Sequence, residues 1–210
     1  AQGARQGLTK STSEQKLLLG RLTTSARRSG FTLMVTAFAL QSLVASAILV
    51  HMVPLLSGLG LGATAAIVGT LFGPSQVLSR FTNMIFGGNL SPVTLAMVAS
   101  TLMCIAIAVL NISAPNVAGA ITFAVLFGLG NGLFSIVSGT LPLVLFGSEG
   151  YGGLQGKVTA ARLTVSAVAP FAFAFGMINI GVNWALAITI FCGLGAVMSY
   201  LLIMHLDQTE

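Results

Sequence analysis

Nine residues hold the polar chemistry that matters most in this chain: Gln41, His51, Gln76, Arg80, Asn83, Asn131, Ser135, Arg162 and Ser166. Between Ser29 and Leu206 only Arg80, Glu149, Lys157 and Arg162 are charged, so the guanidinium in LFGPSQVLSRFTNMIFGG (71–88) has no acid near it in the sequence. Spacing groups these residues. Gly69, Gly73, Gln76, Arg80, Asn83 and Gly87 recur at intervals of 4, 3, 4, 3 and 4, which is one face of a helix. Gly128, Asn131, Ser135, Ser138 and Pro142 follow the same rhythm, as do Gln155, Thr159, Arg162, Ser166 and Ala169. Gln41, Ser42, Ser46 and His51 share a fourth segment without one clean stripe.

Such stripes admit two readings. Small residues let helices approach and Ser or Asn can hydrogen-bond across the contact, which suits the Gly and Ser positions. For Gln76, Arg80, Asn83, Asn131 and Arg162, whose burial in hydrocarbon is costlier, the spacing favours a water-filled path. Arg80 lies seven residues from Gly87 and Arg162 seven from Gln155, so at about 1.5 Å per residue both sit at one depth, some 10 Å inside their helix ends. They either snorkel to the interface or form a positive vestibule for an anionic solute or a partner's acid. His51, just before Pro54, is either an interfacial histidine bonded to a neighbour or a group that couples proton movement to a conformational change.

Catalytic motifs fail on inspection. GYGGLQGK places Tyr151 where a phosphate-binding loop needs Gly and Val158 where it needs Ser or Thr. GLGLG and GLGNG lack the strand of a dinucleotide fold. Cys104 and Cys192 are isolated small hydrophobes with no metal-ligand spacing. No catalytic residue, cofactor or metal is expected.

Helices in a bilayer must carry these stripes. The 210 residues are 55% hydrophobic and only 6% charged, far below the quarter or so of soluble domains. Six stretches are long enough to cross a core about 30 Å thick: Phe31 to Leu56, Ala63 to Gly87, Val93 to Ile112, Val117 to Phe146, Leu154 to Met177 and Trp184 to Met204. Gly, Pro, Asn and Ser mark each junction. Apolar runs of this length exclude an outer-membrane barrel, whose strands alternate over about ten residues. Trp184, Tyr151 and Tyr200 fall near span ends, as an aromatic belt would. The third and sixth spans hold only scattered polar residues and read as lipid-facing supports.

Six of the nine Lys and Arg precede residue 31, and with six spans all nine lie on or near one side, which the positive-inside rule makes cytoplasmic. The net charge of +5 therefore reports topology, and no nucleic-acid partner is expected. Residues 1–30 read as a cytoplasmic basic linker, 31–206 as a six-helix transmembrane domain and 207–210 as a cytoplasmic tail. Within the linker, Ser11 and Glu14 form a capping box and SEQKLLLGRL an amphipathic surface segment. A polar cationic stretch, with no initiator Met, precedes the first span, so the sequence is expected to be a fragment of a longer protein.

The arrangement resembles the C-terminal six-helix half of a major facilitator superfamily transporter. FGLGNGLFSIVSGTLPLVLFG is similar to that family's Gly-rich tenth helix and GYGGLQGKVTAARLTVSAVAPFAFAFG to its eleventh. The run from Gly73 through Arg80 to Gly88 resembles the entry to the loop between helices eight and nine. One departure is the uncharged loop GGNLSP, where the family commonly adds an acid and further arginines, so a charge relay is not expected there. The resemblance implies an all-α fold forming half of a twelve-helix bundle, an N-terminal half as partner, and alternating access to a midplane site for a small solute, with a bacterial inner membrane as its setting. A half-size homodimeric transporter, a six-helix channel and an intramembrane protease are the competing classes. Neither Ser135 nor Ser138 has a Gly-x-Ser-Gly context, and SAPN is not an Asn-Pro-Ala half-helix motif.

Overall fold

The computed structural model describes residues 20–22, 26–87 and 90–208. The capping box at Ser11 and Glu14, and most of SEQKLLLGRL, lie outside them. Among the described residues seven α-helices follow in chain order: α1 Arg27–Leu56, α2 Thr64–Thr70, α3 Phe72–Phe86, α4 Pro92–Ser113, α5 Val117–Phe146, α6 Tyr151–Asn179 and α7 Val182–Gln208. There is no strand among the described residues. The first described helix starts at Arg27, so the last residues assigned to the linker are already helical, and α7 runs on through residue 208, into the first half of the assigned tail.

Local sequence explains the boundaries. α1 passes through a π-helical turn, Ser57–Leu61, and stops where Gly60 and Gly62 take φ of 96° and 54°, values side chains disfavour. Ser91 caps α4 by accepting from the Thr94 N–H at 3.1 Å, with Pro92 at the first helical position. Asn116 caps α5 by accepting from the Ala118 N–H at 2.8 Å.

Among the described residues five helices are long and apolar enough to cross a membrane, which makes this an α-helical integral membrane protein. The second expected span, 63–87, is instead two shorter helices meeting at Leu71. Pro74 has no N–H for the Thr70 carbonyl, and the Leu71 N–H turns to Val68 in a tighter bond of 3.1 Å. Leu71 keeps φ −70° and ψ −20°, so the chain passes from α2 to α3 without leaving the helical region.

Packing follows a reciprocal pattern. The lead helix of the first triplet, α1, packs on α6 and α7; the lead helix of the second, α5, packs on α3 and α4; and α4 packs on α7. Exchanging the triplets α1, α2–α3, α4 and α5, α6, α7 leaves that list unchanged. Two apolar clusters hold the bundle. One gathers Ile48, Leu55, Ile107, Phe123 and Phe127, and the other Met34, Phe38, Phe134, Leu141 and Tyr200. Tyr200, expected in an aromatic belt, is wholly buried, its ring 6.3 Å from that of Phe38. Trp184 is exposed, as a belt residue is. Of the 29 residues of α6 only Val158, Ala169 and Phe173 are buried, so α6 is an edge helix. It turns Phe171, Phe175 and Ile178 outward, as α3 turns Phe81, Met84 and Phe86.

Candidate functional site, a polar cleft between α1, α3, α5 and α6

One wall of the site comes from α3 lying against α5. A Cβ on Gly128 would fall 2.6 Å from the Phe72 carbonyl oxygen, and one on Gly132 would fall 2.5 Å from that of Gln76, so only glycines permit this approach. At the contact, Ser75 and Ser79 donate back to the Leu71 and Gln76 carbonyls at 2.7 and 3.0 Å. With the hydroxyls so absorbed, Gln76 and Arg80 are carried around the helix to the open side.

The opposite wall is α6 on α1, joined by side chains. Ser46 donates to the Ser166 carbonyl at 2.7 Å, and Arg162 Nε donates to Ser42 Oγ at 3.1 Å. The Arg162 guanidinium carbon lies over the rings of Phe134 and Phe38, 5.1 and 5.7 Å from their centroids. Contacts of this kind favour a cation without neutralising it. Its two Nη nitrogens have no acceptor among the described residues.

Between the walls lies an open cleft of about 480 Å³, within the range of small-molecule sites. Gln76, Arg80, Asn131, Ser135, Arg162 and Ser166 all line it, together with Ser42, Ser46 and Ser138 and an apolar side of Ala45, Leu49, Val50 and Phe134. The side chains of Gln76, Arg80 and Asn131 make no hydrogen bond to the described residues. Ser135 and Ser138 donate to carbonyls of their own helix, Gly132 and Ser135, at 2.6 and 2.9 Å. Glu149 is the sole carboxylate among the described side chains, and it sits exposed on the α5–α6 loop, outside the cleft.

Three expected residues lie elsewhere. Gln41 is fully buried toward α4, its Nε2 on Met103 Sδ and its Oε1 without a partner, because one residue before Ser42 is about 100° around the helix. His51, nine residues past Ser42, is about half a turn around α1 from it, its Nδ1 3.1 Å from the Ala47 carbonyl and its ring 5.6 Å from that of Phe173. Asn83 lies against Gly87 and lines a separate, mostly apolar groove with Leu78, Phe86, Leu95 and Leu133.

The two rings that place Arg162 were missed. Phe38, Ser42 and Ser46 recur at intervals of four, as do Asn131 and Ser135, with Phe134 between; a stripe mixing aromatic with polar residues was the available signal. A second cationic crevice, lined by Arg27, Arg28 and Lys157 around Phe31, Phe146 and Leu154, opens where α1 and α6 begin. Arg27 Nη2 there donates to the Phe146 carbonyl at 2.5 Å.

Comparison with protein-family models, with curated proteins and with solved structures finds no match to this chain.

Proposed function

We propose that the cleft is a solute path and that the chain works as one half of an alternating-access transporter, of the kind the major facilitator superfamily resemblance implies. The observation that carries this reading is convergence. Six polar residues chosen from three separate helical stripes meet on one cleft of about 480 Å³ in an otherwise apolar chain. Plain helix packing would have consumed their side chains in contacts; those of Gln76, Arg80 and Asn131 are unspent.

Two further points support it. The reciprocal packing of the two triplets is what an inverted repeat of three spans produces, with α2 and α3 together acting as one broken span. The break at Pro74 and the prolines at 54, 142 and 170 inside helices give elements that can bend at defined points. On this reading the chain has six spans with both termini cytoplasmic, placing Arg27, Arg28 and Lys157 at the inner leaflet of a bacterial inner membrane. A second half, or a second copy, closes the open side.

The test is uptake and efflux by the full-length protein in proteoliposomes, with organic anions, cations and neutral compounds under imposed proton gradients. Saturable flux of at least one class, lost on replacing Asn131 with Leu, is the expected result. Non-saturable flux, or flux indifferent to the cleft residues, would overturn the reading.

A further inference from the structure

We infer that Arg162 is the anchor for an organic carboxylate, with the cleft selecting a solute that joins one planar oxyanion to an apolar body. This rests on the reading of the cleft as a solute path and adds to it the class of solute and the atoms that hold it.

The charge balance comes first. The cleft presents two guanidinium groups, Arg80 at its exposed margin and Arg162 deeper in, and no acid. Lys157, the nearest other cation in sequence on α6, is exposed and does not line the cleft. A half-buried cation without a counter-ion is costly in a low-dielectric setting, and an arriving anion removes that cost.

Geometry then narrows the anion. The Phe38 and Phe134 rings and the Nε bond to Ser42 fix where the guanidinium lies, leaving both Nη groups unengaged. A planar fork of parallel N–H donors matches the two oxygens of a carboxylate. The surroundings set the rest of the solute. Leu49 and Val50 give an apolar side, while Gln76 and Asn131 offer amides with no partner in the protein. An inorganic ion would leave the apolar side empty, and a cation would meet two like charges.

The experiment measures thermal stabilisation of the full-length protein in detergent by matched sets: benzoate, benzamide and benzylamine, then hexanoate, hexanamide and hexylamine. Carboxylates are expected to raise Tm, with amides and amines at equal concentration raising it less or not at all. Arg162→Lys keeps the charge and is expected to weaken carboxylate binding roughly tenfold, by loss of the two-point contact. Arg162→Gln is expected to abolish it. Should that variant fail to fold, the Lys variant and Ser42→Ala, which frees Nε, carry the test, the latter with a several-fold loss. Equal stabilisation by amides or amines, no stabilisation by any carboxylate, or carboxylate binding unchanged in Arg162→Lys would each overturn the inference. Flux separates it from the reading beneath it. Carboxylate binding lost in Arg162→Lys, but with no carrier-mediated flux, supports the anchor and removes the transport reading. Saturable flux of neutral or cationic solutes unaffected by Arg162→Lys keeps transport and removes the anchor.

Discussion

On one side of the cleft α3 meets α5 backbone to backbone, with Gly128 and Gly132 closing the gap and the serines of α3 bonded to their own helix. On the other, α6 meets α1 through a serine, an arginine and two aromatic rings. Both walls carry an arginine. Arg80 is left exposed with no described partner, and Arg162 is held on three sides. A wall joined by glycines tolerates no added atom but asks little of its polar side chains. A wall joined by side chains depends on each one, so the cation it holds is placed rather than merely present.

That contrast can be broken experimentally, and the largest effect belongs to the side-chain wall. Phe38→Ala removes a fully buried ring from the core and from beneath Arg162, and is expected to cost about 3–5 kcal/mol, read as a lowered unfolding midpoint in detergent. Next comes the glycine wall. Gly132→Ala forces a methyl toward the Gln76 carbonyl and Ser79, and is expected to cost about 1–3 kcal/mol. The same change at Gly139, whose Cβ would meet nothing within 4 Å, is expected to be neutral or slightly stabilising. If both cost the same, close approach is not what the Gly132 position supplies.

Smaller effects sharpen the picture. Ser46→Ala removes one bond between α1 and α6 and is expected to cost about 0.6 kcal/mol, with the double mutant Ser46→Ala, Ser42→Ala measuring how far the two serines act together. Arg80→Gln is expected to change stability by no more than about 0.5 kcal/mol, since the side chain is exposed and unbonded. A large loss of fold in Arg80→Gln would put Arg80 in the same class as Arg162 and erase the difference between the walls.

Hydropathy alone made the long helices legible, and turn chemistry located their ends to within a few residues. The broken span was not legible as two helices because mean apolarity does not register one missing N–H, though Pro74 was in view. Stripes at three and four placed Gln76, Arg80, Asn131, Ser135, Arg162 and Ser166 on the cleft, since a residue's angle on a straight helix follows from its number. The same logic cannot say how far along the helix a cleft extends or which neighbour faces a residue. Hence Asn83, one turn past Arg80, turns toward Gly87 and another groove, while His51, beside the cleft residue Val50, misses the cleft by angle, about half a turn around α1 from Ser42. Gln41 carries the larger polar group, but Ser42 has the angle that faces the cleft, so the amide turns to Met103 instead. Phe38 and Phe134 were invisible as site residues because an aromatic in an apolar run looks like every other core residue until a cation is found against it.

The reciprocal packing also sets a timetable for synthesis. The bonds that seat α1 on α6 join residues 120 positions apart, Ser46 with Ser166 and Ser42 with Arg162. At about 5–20 residues per second on the ribosome, α1 waits roughly 6–24 s before the residues that complete it have been made. During that interval its serines and Gln41 have none of their final partners on α4 or α6 at first, and a chain halted after α5 would never supply those on α6. In every copy of the protein, α1 is therefore complete well before the helix that its cleft-facing side chains bond to has been made.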